Sequence, residues 1–182
     1  VFYHKSPRNL SITRAKLLTK NRTKNSKIVA LTVNPDDIFL QKIIENINPD
    51  YIQLHGEETP IRCENIRDKF NIPLIKGIGV NKNINLKKCI KSYAEICDIL
   101  ILDAPSKELP GGNGKKFDWK ILKNYKSKKK WMLAGGLNIN NISEAIDITK
   151  PPAIDISSGL ETIKGVKDPQ LIKNFVLKCR NL

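Results

Sequence analysis

No apolar run in the chain reaches about 18 residues, the length a helix needs to cross a bilayer, and the start carries no basic-then-apolar leader. No membrane partner is expected, and the setting is read as cytoplasmic. Histidine is scarce: His4 and His55 are the only two. The four cysteines, Cys63, Cys89, Cys97 and Cys179, form no CxxC pair and stand near no histidine. A metal site is therefore not expected, and the thiols read as free groups in a reducing compartment. Arginine is scarce too. The 32 basic residues comprise 26 Lys and 6 Arg, whereas base readout and phosphate forks favour the guanidinium. The net charge of +14 is thus weak grounds for a nucleic-acid partner, and none is expected. The densest run, Lys126, Lys128, Lys129 and Lys130, precedes an apolar segment and reads as a solvated turn. A general positive potential would still draw in an anionic small molecule.

What is present is regular. The 182 residues are 40% hydrophobic and 27% charged, the range of a soluble globular chain, and one domain over 1–182 is expected. Short β-branched runs occur at Lys27–Asn34, Tyr51–His55, Pro73–Val80, Asp98–Asp103, Trp131–Leu137 and Ala153–Ser157, with a fragment at Val1–Tyr3. They are more apolar than a one-sided sheet requires, which points to buried parallel strands. Amphipathic stretches with helix-start residues lie between them. Ser11, Asn34 with Pro35, Thr59 with Pro60, Asp118, Asn140 or Asn141, and Asp168 with Pro169 are the expected starts, and Asn85–Ser92 is a further helical stretch.

The strand runs begin at residues 1, 27, 51, 73, 98, 131 and 153, the spacing of a βα unit. Seven strands alternating with seven helices fit a (βα)8 TIM barrel lacking one unit, or a doubly wound open sheet. The first strand of a dinucleotide-binding open sheet should end in GxGxxG, and none does, so the barrel is favoured. Val1 opens in mid-strand, so the first βα unit is expected upstream, as about 25–30 residues.

In a barrel the chemistry gathers at the C-terminal strand ends. There the chain places Arg8, His55, Asp103, Gly135-Gly136 and Ser157-Ser158-Gly159. Glycines let backbone N–H groups approach an anion, serines add donors, and the last two strands are where barrels commonly hold a phosphate. The same glycines could serve tight turns alone. Asp103 ends the strand DILILD beneath a Gly-rich loop at 110–116 that could act as a lid. It is a candidate acid or base, or an Asp that caps a loop. Arg8 could clamp a carboxylate through its fork, or be an ordinary surface residue. His55 beside Gly56 could contact substrate or serve as a hydrogen-bonded structural histidine.

The segments VFYHKSPR, YIQLHGEE, LILDAPSKELPGGNGKKFDW, LAGGLN, IDISSGLE and GVKD, in this order and spacing, resemble phosphoribosylanthranilate isomerase of tryptophan biosynthesis across essentially the whole chain. The resemblance implies a (βα)8 barrel that performs an Amadori rearrangement of N-(5'-phosphoribosyl)anthranilate without metal or organic cofactor. By motif, Asp103 would be the general acid that protonates the furanose ring oxygen. Arg8 would hold the anthranilate carboxylate, the loops at 135–136 and 157–159 the phosphate, and Asp155 would help order the site, with His55 among the substrate contacts. The partner implied is a small phosphorylated substrate, bound by a monomer or homodimer. The family's general base is a Cys in a KICG motif. That motif is absent here, and the expected upstream unit would carry it. Another phosphate-handling barrel, such as an indole-glycerol-phosphate synthase, and a non-enzymatic polyanion binder are the rival readings.

Overall fold

The computed structural model describes residues 1–81, 85–105, 117–123 and 125–182; the Gly-rich segment expected as a lid, 110–116, lies outside them. Contacts divide the chain into two units. The first comprises Val1–Gly77 and Lys87–Ile99, the second Ile78–Leu86 and Leu100–Leu182.

In the first unit β1 (Val29–Thr32), β2 (Tyr51–Leu54) and β3 (Leu74–Gly79) lie side by side in that order, all parallel. Phe2 extends the pairing through a single parallel bridge to Thr32. Ile52, Gln53 and Leu54 are all buried, as the apolar character of these runs predicts for strands covered on both faces. The helices start where capping chemistry allows. Ser11 accepts from the Arg14 N–H ahead of α1 (Ile12–Thr19), and Thr59 accepts from the Arg62 N–H ahead of α3 (Pro60–Phe70). Helix α2 (Asp37–Ile47) buries Leu40, Ile43 and Ile47, a stripe at i, i+3 and i+7. Each such buried Leu or Ile contributes about 1.5–3 kcal/mol of transfer free energy. Helix α4 (Leu86–Ala94) occupies the stretch expected at 85–92.

Asn34 does not cap α2. The cap is Asp36, whose carboxylate accepts from the Phe39 N–H. Asn34 adopts a left-handed backbone, φ 47°, and its side-chain oxygen accepts from the Glu57 N–H at 2.8 Å. The residue is spent on tying the loop after β1 to the loop after β2.

In the second unit the end of β3 is followed in the sheet by β4 (Ile99–Asp103) and β5 (Lys130–Leu133). Val80 N–H donates to the Asp103 carbonyl and Ala134 N–H to that of Leu102, each at 2.8 Å. The run at 153–157 forms one bridge, Ile154 to Leu133, rather than a full strand. The helix expected after Asp118 is a 3-10 turn at Trp119–Leu122, with Asp118 as its cap. Helix α5 (Ile142–Thr149) begins after Asn141, but the Asn141 side chain makes no capping bond. It donates instead to the Gly136 carbonyl at 2.9 Å and accepts from the Asn138 N–H. Asp168 accepts from the N–H groups of Gln170 and Leu171 and starts α6 (Pro169–Arg180). One feature was not expected: β6 (Glu161–Ile163) and β7 (Val166–Lys167) form a small antiparallel hairpin, turned at Gly165, φ 90°.

Candidate active site

Asp103 is the last residue of β4 and is 6% exposed. Its Oδ1 accepts from the Ala104 N–H at 2.7 Å, which fixes the carboxylate against the start of its own loop. Gly135 packs on the same group. A Cβ at Gly135 would stand 2.7 Å from the Ala104 nitrogen and 3.1 Å from Asp103 Oδ1, and its φ of 92° is itself a conformation that favours glycine. Glycine is therefore required here by both sterics and backbone. Beyond it, Gly136 also takes a positive φ, and the Asn138 and Asn141 amides both donate to its carbonyl.

The second candidate loop meets the first. Ser158–Leu160 forms a 3-10 turn after Ser157, and Gly159 packs so closely on the Leu137 carbonyl that a Cβ there would collide with it; the Asn138 Cα would lie at 3.1 Å. Asp155 enters this region from the Ile154 bridge, its N–H donating to the Leu133 carbonyl. The second unit thus brings Asp103, Gly135, Gly136 and the 157–159 turn into one continuous run of contacts.

Arg8 and His55 belong to the first unit. Arg8 follows a turn in which its N–H donates to Ser6 Oγ, and its side chain is half-buried. His55 is braced on two sides. The Gln53 side-chain nitrogen meets His55 Nδ1 at 2.9 Å, which orients the ring. Gly77 faces the same ring, and a Cβ at Gly77 would stand 2.5 Å from Nδ1.

Two lysines escaped the sequence reading. Lys76 on β3 donates to the Leu54 and Gly56 carbonyls and to Glu58 Oε2, the last at 2.9 Å. Both side chains of this ion pair are almost fully enclosed. Glu58 in turn accepts the N–H groups of Asn34 and Gly56. Lys76 sits inside an apolar run, where a lysine is the wrong sign for a core position, and that mismatch was the available signal. Lys167, in the GVKD segment, donates to the Ser157 carbonyl, to Ser157 Oγ and to Glu161. Among 26 lysines nothing local set it apart.

All four cysteines are free. Cys63 and Cys97 are buried and hydrogen-bonded to each other, which holds the Cys63 thiol below its ordinary pKa and pushes that of Cys97 up. Burial also raises the nearby Tyr93 phenol to about 12; its hydroxyl donates to the Glu58 carbonyl. Cys63 lies in α3, Cys89 in α4, Cys179 in α6, and Cys97 just before β4. None stands at the C-terminal end of a strand, so none is assigned a role as base. Among the described residues no helix is long and apolar enough to cross a membrane.

Residues 1–178 match the family model of N-(5'-phosphoribosyl)anthranilate (PRA) isomerase. The N-(5'-phosphoribosyl)anthranilate isomerase of Chelativorans sp. (strain BNC1) is 42% identical over 183 residues, spanning 99% of this chain and 84% of its own. The crystal structure of phosphoribosyl anthranilate isomerase from Thermotoga maritima aligns at a TM-score of 0.86 and 31% identity, over 100% of this chain and 86% of that one. A crystal structure of the same enzyme type in complex with reduced 1-(o-carboxyphenylamino)-1-deoxyribulose 5-phosphate aligns at 0.83 and 30% identity, covering 100% and 85%.

Proposed function

We propose how this chain divides the work of its family, for it belongs to the N-(5'-phosphoribosyl)anthranilate isomerases. Its fold class is the (βα)8 TIM barrel, and its activity is that of an aldose–ketose isomerase. The reaction is the Amadori rearrangement of N-(5'-phosphoribosyl)anthranilate to 1-(o-carboxyphenylamino)-1-deoxyribulose 5-phosphate in tryptophan biosynthesis.

Asp103 serves as the general acid. As the C1'–O bond of the furanose breaks, its electron pair goes to the ring oxygen, which takes the Asp103 proton. The anilino nitrogen lone pair closes to the C=N of a Schiff base. A general base then takes the C2' proton to give the enolamine, which gains a proton at C1' and loses that of its C2' hydroxyl as it tautomerises to the ketose. Among the described residues no side chain is assigned as that base. The observation that carries this assignment is the buried carboxyl group at the end of β4 with Gly135 packed against it: a group able to carry a proton is held at a strand end, and side-chain bulk is excluded beside it. The linked loops at 135–136 and 157–159 are the proposed seat of the phosphate, built from backbone N–H groups and serine hydroxyls. Asp155 orders that region. Arg8 is the proposed partner of the anthranilate carboxylate, and His55 is proposed as a further substrate contact. The enzyme works as a monomer or homodimer on this small phosphorylated substrate in the cytoplasm.

Asp103→Asn in the natural full-length protein tests the assignment. The amide keeps the shape and cannot deliver the proton, so kcat falls by about 10²–10⁴, the usual worth of a general acid. Binding of the reduced product analogue stays close to normal. Turnover within a few-fold of the unaltered enzyme would place the acid elsewhere.

A further inference from the structure

Lys167 departs from a phosphate site made of main chain and serine alone. Its ammonium has three hydrogens and no lone pair. The three find the Ser157 carbonyl at 2.6 Å, Ser157 Oγ at 3.1 Å and Glu161 Oε1 at 2.8 Å. Glu161 is itself held, since its carboxylate is 3% exposed and its other oxygen accepts from the Gly165 N–H. Asp168 N–H donates to the Leu160 carbonyl at 3.0 Å, closing the base of the β6–β7 hairpin on the 3-10 turn. The hairpin is thus a strap that leaves the 157–160 turn, reverses at Gly165 and returns a cation to the residue where it began.

The chemistry of the contact sets a direction. A hydroxyl facing an ammonium can only accept from it, so Ser157 Oγ spends a lone pair on Lys167 and must aim its own hydrogen elsewhere. The carbonyl of the same residue is pinned by the same cation, which fixes the backbone on which that hydroxyl stands. Lys167 is 42% exposed at its side chain, so its charge also acts through water on an approaching anion.

We propose that Lys167 is a positioning residue of the phosphate site, holding Ser157 so that its hydroxyl is presented as a donor to the substrate's phosphate dianion. This rests on the reading that the 157–159 turn binds the phosphate.

The experiment uses the natural full-length protein, with inorganic phosphate as competitive inhibitor and the phosphorylated substrate as second probe. Lys167→Met raises KM and the phosphate inhibition constant about tenfold, the worth of one hydrogen bond to a charged group, with a smaller effect on kcat. Lys167→Arg recovers most of the loss, because a guanidinium also offers several donors. Ser157→Ala weakens phosphate by a similar factor, and the Lys167→Met/Ser157→Ala pair is no worse than the more damaging single change. If Ser157→Ala weakens phosphate and Lys167→Met does not, the phosphate reading stands and the proposal fails. Full additivity of the two changes would mean that Lys167 acts directly rather than through Ser157, which also overturns it. If neither change alters phosphate inhibition, the phosphate reading itself fails at Ser157.

Discussion

Two lysine–glutamate pairs, one in each unit, share a geometry and differ in surroundings. Lys76 and Glu58 meet at 2.9 Å with side chains 3% and 2% exposed, whereas Lys167 and Glu161 meet at 2.8 Å with 42% and 3%. The distances are the same within a tenth of an ångström, so distance cannot decide what either pair does. Solvent decides. The enclosed pair has given up its hydration on both sides, and neither partner can be removed without stranding the other's charge. The half-open pair keeps water on the lysine although Glu161 is as enclosed as Glu58, so only one of its two charges has been taken out of solvent and the lysine can serve another purpose.

The largest effect should come from breaking the enclosed pair. Lys76→Met is expected to cost about 3–5 kcal/mol of stability, read as a lower urea midpoint at an unchanged slope. A loss below about 1 kcal/mol would erase the contrast. Replacing both partners, Lys76→Met with Glu58→Leu, sharpens the point. No charge is then stranded, so much of the loss should return. The Asn34 and Gly56 N–H groups that Glu58 accepts lose their partner, leaving a residual deficit of about 1–3 kcal/mol for each one that stays buried and unsatisfied. A double change as damaging as the single would mean that those N–H bonds, not the ion pair, are what the core requires. At the half-open pair, Lys167→Met leaves the enclosed Glu161 carboxylate with the Gly165 N–H still donating to it, so stability should fall by about 1–3 kcal/mol, less than at Lys76. A larger shift would make Lys167 a folding residue.

The smallest expected effect is at a half-buried carboxylate near the surface. Asp50 titrates below its ordinary range because the Ile28 N–H donates to it and Lys27 and Arg22 stand beside it. A carboxyl depressed in the folded state stabilises above its unfolded pKa, and that contribution is lost as pH falls through the folded value. Asp50→Asn should therefore flatten the acid limb of the stability curve slightly below about pH 4. A steeper limb would have the sign wrong.

The contrast also marks what can be read from sequence. Thr59 and Asp168 announce their helices because a cap acts on N–H groups within three residues of itself, so its signal is local. Asn34 carries an equal local signal, yet its amide is used by Glu57, a residue of the next loop, and the cap passes to Asp36. Asp103 and Gly135 were legible as strand ends followed by loops. That Gly135 must be glycine because of Asp103 was not, since the two meet only in the fold. Lys76 and Lys167 failed to register for the same reason. An ammonium declares its role through its acceptors, and three of these, Leu54, Gly56 and Glu58, lie on other elements. The hairpin after Ser158 was hidden by its brevity: three residues on one side and two on the other leave no alternation to detect.

The joint between Gly159 and the Leu137 carbonyl has main chain on both sides. Every amino acid brings the same carbonyl, so position 137 can change its side chain without touching the joint, and only at 159 can a substitution enter it. The mutational target is close to a single codon. A composition in which 26 of 32 basic residues are lysine can arise by wholesale exchange of side chains over the surface. A joint of this kind passes through such exchange unaltered.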